Sequence, residues 1–335
     1  MKPVCLSILF CFLSLQLLLS QTLPLRQLPK PARNALYGFV FIPGGSFIQG
    51  VFEGRDSLQF SKPSEQEVPA FLISRYETTV AEYVQFASST GDYADIPDTT
   101  VWKNEFATPF DHPMWRHYFK GHPAFSAFPI ICVNWEQANR YCRWKTAEVN
   151  ALLDDSPFEV EVRLPTETEW EYAALGGALV REIQGERFNS RLFPWDGIFM
   201  EAGKTCGYKT HCNSGPIETA DYPLFAYPYD GGLFTIRVGA YEANGFGLFQ
   251  MAGNAAEWTA DEINTSFVGR SRPENMGEAN PAGLPRPYAG YKIVKGGSWN
   301  DSPFYMQCGA RRLQPADQGS FTIGFRPVCI IRKKG

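Results

Sequence analysis

The sequence predicts a fold that mixes strands with helices and carries much irregular structure. Two observations point there. Aromatic residues make up 15% of the 335 residues, beside 30 Gly and 25 Pro. That mix favours frequent turns and an aromatic-packed core over a helical bundle. Short apolar runs bounded by Gly and Pro also alternate with helix-start signals in which a Thr or Asn precedes a Glu or Gln by three positions. A hydrophobic content of 44% is enough for one large domain or two ordinary ones. The net charge is −4 with no basic block, so nothing marks a nucleic-acid surface. Four histidines without an HxH or HxxxH pair argue against a histidine-rich metal site, and His112, His117 and His122 have no carboxylate or thiol spacing to complete one.

Taken in order, Met1–Ser20 reads as an export signal, with Lys2 as the charged start and Val4–Leu19 mostly apolar. Cleavage after Ser20 is the expectation, and an uncleaved N-terminal anchor is the alternative. The run is too short and wrongly flanked for a membrane span, and neither Cys5 nor Cys11 sits in a lipobox. Residues 21–36, with Pro24, Pro29 and Pro31, read as a linker, and the domain is expected over 37–335. Phe39 to Gly50 reads as a hairpin about a Pro-Gly-Gly turn, and Val68 to Tyr76 as a strand. Thr79-x-x-Glu82 opens a helix through about Ala87. A strand at Pro129 to Val133 leads to Asn134, which caps a helix from Glu136 to about Leu153 with Gln137 closing the box. Thr166-x-x-Glu169 opens another helix, stopped at Gly176-Gly177.

The chain is organised around Asn244 to Trp258, NGFGLFQMAGNAAEW. Its glycines let backbone turn sharply or approach another segment closely. Glu257 beside Trp258 indicates a half-buried carboxylate, which needs a donor or a cation. This stretch resembles the signature of the formylglycine-generating enzyme family, also called the sulfatase-modifying-factor family. Further landmarks are similar in the same order: Ile-Pro-Gly-Gly at 42–45, Val-Asn-Trp at 133–135, Arg-Leu-Pro-Thr at 163–166, Lys-Gly-Gly-Ser-Trp at 295–299, Gly-Ala-Arg-Arg at 309–312 and Gly-Phe-Arg at 324–326. The resemblance covers roughly Tyr37 to Arg332 and implies an α+β, C-type-lectin-like fold.

It also implies sites. A structural calcium ion would be held by Asn213, Ser214, Asp230 and Gly232, oxygen ligands that suit calcium. A second would take Gln250, Gly253, Ala255 and Glu257. In the enzymes of the family two cysteines just after Gly-Gly-Ser bind copper(I), which selects sulfur over oxygen. Here Asp301 stands at the first position, and Ser302 to Gln307 contains no cysteine, so no copper is expected. Ser298, Trp299, Asp301, Arg311 and Arg312 are the candidate cleft residues. Adjacent arginines would suit an anionic ligand, or Arg311 or Arg312 would pair with a core carboxylate. Six cysteines follow the export signal. Cys206 and Cys212 are expected to staple one loop, half a zinc site being the weaker alternative. The resemblance implies a Cys142–Cys329 bond, while the sequence does not fix the connectivity of Cys132 and Cys308.

The expected function is that of an exported, non-catalytic structural or interaction component in the periplasm, at the outer membrane or secreted, with protein partners. The phrasing of residues 122–125, 140–146 and 230–233 is similar to gliding-motility and type IX secretion lipoproteins of Bacteroidetes, which brings secretion machinery in as a partner. Two other readings stand beside it: an oxidase or other enzyme using a different site in the same cleft, and a carbohydrate- or ligand-binding lectin-like module.

Overall fold

The computed structural model describes residues 23–51, 63–101, 117–183, 186–196, 212, 232, 234–263 and 290–335. Its framework is a four-stranded antiparallel sheet of β1 (Phe39–Ile42), β4 (Phe71–Ser74), β12 (Val328–Lys333) and β5 (Phe158–Arg163), in that order. The C-terminal strand β12 therefore lies between two earlier ones and closes the chain. Its alternation joins two packed regions. Cys329 faces the main core with Val160 and Val162, and Val328 faces a second core with Ile42, Ile73 and Trp170. A second sheet orders β10 (Arg312–Pro315), β9 (Tyr291–Lys295), β8 (Ala256–Glu262) and β11 (Ile323–Gly324), with β11 parallel to β8. Two hairpins, β2 (Gly45–Gln49) with β3 (Ser64–Val68) and β6 (Val180–Ile183) with β7 (Glu186–Asn189), complete the strands described.

All three expected capping boxes form. Thr79 caps α3 (Val80–Thr90), which ends at Gly91 in the left-handed region, φ 64°. Asn134 caps α4 (Trp135–Asn150) and Thr166 caps α5 (Glu167–Ala174). Each box satisfies two backbone donors that a helix start would otherwise leave open. Tyr83, Phe86, Tyr141 and Phe325 stack between α3, α4 and the β11–β12 turn, the aromatic packing that the composition implied.

Five expectations are corrected. The hairpin expected over Phe39 to Gly50 does not form, because β1 pairs with β4 and β2 with β3 in separate sheets. Residues 21–36 are no linker where described: α1 (Leu23–Gln27) and α2 (Lys30–Ala35) form, and Leu28, Ala32 and Leu36 are buried in the main core. Their burial in that core means that the domain begins before Tyr37. The single strand expected at 68–76 divides into β3 and β4 at Pro69-Ala70, because proline cannot donate to a ladder. The strand expected at 129–133 reduces to an isolated bridge between Thr79 and Pro129. Cys132 adopts φ 64° there, and the segment bonds to Thr78 and Ser320 instead. Finally, Cys142 and Cys329 are both thiols, so the bond expected between them is not formed. Burial pushes both upward, Cys329 to about 12. Buried thiols stay protonated, whereas disulfide formation proceeds through the thiolate. Cys206 lies outside the described residues; Cys212 is buried.

Gly245 shows how closely the organising stretch docks. A Cβ there would lie 2.2 Å from the carbonyl oxygen of Gly176, backbone against backbone. Gly245→Ala is expected to lose about 2–3 kcal/mol, since neither chain can yield without shifting an element. Chemical denaturation, read as a lower midpoint at unchanged slope, checks this.

Candidate functional site

The site is assembled at the end of β9. Gly296 and Gly297 take φ 88° and 64°, turning the chain sharply after Lys295. Both are also tight: a Cβ would meet the Trp170 ring at 3.0 Å and Met306 at 3.0 Å. The turn delivers Ser298 and Trp299 into the interior. The Trp299 backbone N–H donates to the Asn254 carbonyl at 3.0 Å, and its ring meets Phe234 edge-on. Ser298 Oγ donates to Asp301 Oδ2 at 2.6 Å, and Arg312 Nη1 reaches the same oxygen at 2.6 Å. Arg312 Nη2 also lies 3.5 Å from Thr322 Oγ1. Ser298 is fully buried, and the Asp301 and Arg312 side chains are mostly covered. The Ser298–Asp301 corner is thus closed by a charge-assisted pair, the stronger kind of hydrogen bond.

Arg311 and Arg312 do not act together. Arg311 turns to Glu167, whose carboxylate also lies 3.4 Å from Lys295 Nζ. Lys295, fully buried, reaches Glu171 at 3.1 Å, and Glu171 accepts the Gly50 N–H at 2.6 Å. Burial pushes the Glu171 carboxyl up, opposed by Lys295. The result is a charge-balanced row, Glu171–Lys295–Glu167–Arg311, running from α5 into the C-terminal segment. Buried charges persist only when paired this way. Asp261 adds a further bond, accepting the Glu167 N–H at the start of α5.

A second buried network holds the organising stretch. Glu257 receives Arg326 Nε at 2.9 Å and Nη2 at 2.7 Å, with the Trp170 indole N–H at 2.7 Å. Arg326 donates onward to the carbonyls of Ser74, Arg75, Phe249 and Gln250. Glu77, entirely buried, accepts from Asn254 Nδ2 and the Ala255 N–H at 2.8 and 2.9 Å. Burial, then the neighbouring Glu257, pushes the Glu77 carboxyl up to about 8.

The expected calcium ligands fare differently at the two sites. Asn213, Ser214 and Asp230 lie outside the described residues, and Gly232 is buried. At the other set, the Glu257 carboxylate and the Gln250 carbonyl both face the Arg326 guanidinium. Glu257, the one charged oxygen donor of that set, is paired with Arg326 in this arrangement. Among the described residues no group of three or more His, Cys, Asp or Glu side chains is arranged to hold a metal ion.

Sequence reasoning assigned no chemistry to Glu77, Glu167, Glu171, Lys295 or Arg326. The available signal was a charge beside apolar neighbours, as in Ile293-Val294-Lys295 and Gly324-Phe325-Arg326. Cys308 shares a core with Ala174, and its thiol is pushed up by burial.

Known proteins are similar to this chain in sequence and in fold. The model of the sulfatase-modifying factor enzyme 1-like domain matches residues 25–331. The formylglycine-generating enzyme of Bos taurus is 27% identical over 314 residues, covering 85% of this chain and 72% of its own. That of Thermomonospora curvata is 28% identical, covering 86% and 92%. Among solved structures, PvdO from Pseudomonas aeruginosa superposes with a TM-score of 0.55 at 21% identity, covering 87% of this chain and 93% of that one. Treponema denticola variable protein 1 gives 0.53 at 20%, covering 87% and 94%. By the extent of the family match, and with mixed helix and sheet in the same fold as these structures, the chain belongs to the sulfatase-modifying factor enzyme 1-like domain family.

Proposed function

We propose that this chain is a non-catalytic member of its family, exported and used as a structural or interaction component. The observation that supports it most is the Asp301 carboxylate, held by Ser298 and Arg312 where the resemblance places a metal-binding thiol. A carboxylate is a hard oxygen donor and does not replace sulfur for copper(I). The following residues supply no substitute, because 302–307 contains no cysteine and Cys308 is buried with its thiol pushed up. Both arginines of the cleft are engaged by carboxylates, which favours a scaffold over an anion-binding enzyme.

A structural calcium ion at Asn213, Ser214, Asp230 and Gly232 belongs to the same proposal and rests on an all-oxygen donor set. So do cell-envelope partners of the gliding or secretion type, which rest on the phrasing of residues 122–125 and 140–146.

The test is incubation with a cysteine peptide, copper(I), oxygen and a thiol reductant, with mass spectrometry for the aldehyde product. Expected is unchanged peptide at every time point. Multiple turnovers per chain would overturn the proposal.

A further inference from the structure

The two edges of the first sheet are finished differently. At β5 the outward backbone groups are closed by α4. The Val160 N–H donates to Asn150 Oδ1 at 2.9 Å, and the Val160 carbonyl accepts from Asn150 Nδ2 at 2.7 Å. Both groups of Val162 meet the Thr146 hydroxyl, at 2.8 and 3.0 Å. At β2 the Asn189 side chain closes Ile48 in the same way, at 3.0 and 2.6 Å. A bare strand edge invites another strand, and cover of this kind withholds it.

The opposite edge, β1, has no such cover. It ends the sheet and pairs with β4 alone. The Arg75 N–H donates to the Gly38 carbonyl, and the Ser74 N–H, opposite Phe39, turns the other way to Pro327. By the alternation of an antiparallel ladder, Val40 and Ile42 bond to β4, and Phe39 and Phe41 point their backbone groups outward. The Phe39 N–H is taken by the Leu36 carbonyl at 3.1 Å. Among the described residues nothing bonds to the Phe39 carbonyl or to the N–H and carbonyl of Phe41. The strand is wholly apolar, Phe-Val-Phe-Ile, without the lysine, proline or bulge that blunts an edge. Phe39 and Phe41 pack half-buried on the main core and Val40 on the second, so both cores run out here.

We infer that β1 takes an extended segment of a protein partner, apolar at alternate positions, as an added strand. The backbone groups specify the fit. An antiparallel segment answers all of them: one residue exchanges both bonds with Phe41, and the residue two further on donates to the Phe39 carbonyl. The side chains of those two residues stand opposite Phe41 and Phe39 and continue the main core, which is why alternate positions are apolar. A second copy of β1 fits less well. Its Phe39 N–H is already engaged and Pro43 has none, so two paired β1 strands leave carbonyls unanswered. This docking edge serves the interaction role proposed above and rests on that reading. Peptide binding and copper chemistry are read separately, so either can fail alone.

Amide hydrogen exchange on the full chain tests this, with the acetylated heptapeptide Lys-Val-Thr-Val-Thr-Val-Lys as probe. Without peptide the Phe41 amide should exchange at least about tenfold faster than those of Val40 and Ile42, which the ladder protects. Excess peptide should slow the Phe41 amide about tenfold and leave Val160 and Val162 unchanged. Phe41→Pro removes the donor at an outward-facing position, where an edge strand tolerates proline. It should weaken peptide binding about tenfold, the loss of one hydrogen bond, at unchanged circular dichroism. Phe41→Leu keeps the N–H and should bind within about threefold of the parent. A Phe41 amide that peptide does not slow, or a folded Phe41→Pro variant that binds like the parent, would overturn the inference. Should the proline variant not fold, exchange at Phe41 in the parent decides alone. Protection of Phe41 that grows with protein concentration and needs no peptide would assign the edge to a second copy and overturn the partner reading.

Discussion

Arg326→Met is expected to destabilise the protein by about 3–5 kcal/mol, the usual cost of removing one partner of a buried ion pair. The guanidinium is completely buried and serves five groups at once: the Glu257 carboxylate and four backbone carbonyls. Methionine keeps much of the volume and none of the donors. Glu257 would then stand as an uncompensated charge beside Glu77, with only the Trp170 indole to bind it. In a chain of this length the loss corresponds to a melting temperature roughly 4–7 °C lower. Arg326→Lys should not restore the parent value. One ammonium lacks the planar fork that grips both carboxylate oxygens and the carbonyls together. Calorimetry on the three proteins checks this, and a melting temperature for the methionine variant within about 2 °C of the parent would remove Arg326 from the centre of the fold.

The second large effect concerns pH. Folding raises the Glu77 carboxyl from 4.5 to about 8, through burial first and then Glu257; Arg326, Asn254 and the Ala255 N–H pull the other way. Between those values the folded state keeps a proton that the unfolded chain releases. Stability from this group is therefore complete below 4.5, falls as pH rises through the window, and levels off above about 8. The slope reaches about 1.4 kcal/mol per pH unit, so several kcal/mol separate the ends. Glu171 and Asp261 are also raised, chiefly by burial, and add slope of the same sign. Glu77→Gln isolates the contribution of Glu77. Urea titrations from pH 5 to pH 8 should show a steep decline in the parent and a clearly shallower one in the variant. Parallel declines would place the proton elsewhere.

Much of the fold was legible because its signals are local. Thr79, Asn134 and Thr166 each announce a helix within four residues, and all three boxes close. Gly176-Gly177 marks a helix stop, and both residues take positive φ. The need of Glu257 for a donor or cation was equally legible. Its partner was not, because Arg326 lies 69 residues away and only the assembled sheets bring them together. The adjacency of Arg311 and Arg312 left an anionic ligand or a core carboxylate as partner, and the carboxylates are what they meet, for a physical reason. Neighbouring residues at a strand entry point to opposite sides, so the two reach Asp301 and Glu167 separately. Prolines made residues 21–36 read as a linker, while Leu28, Ala32 and Leu36, buried in the core, carried the apolar signal of a packed segment. The strand expected over 129–133 failed at Cys132, where a positive φ turns the chain toward Ser320.

The scaffold account rests on the chemistry at Asp301, and a copper(I) competition titration against a chromogenic chelator tests it most directly. With a carboxylate at 301 and Cys308 protonated in the core, no stoichiometric high-affinity complex is expected, and Asp301→Ala should leave the titration unchanged. One tightly held copper(I) per chain, lost on Cys308→Ser, would show that sulfur is available to the cleft and would contradict the account.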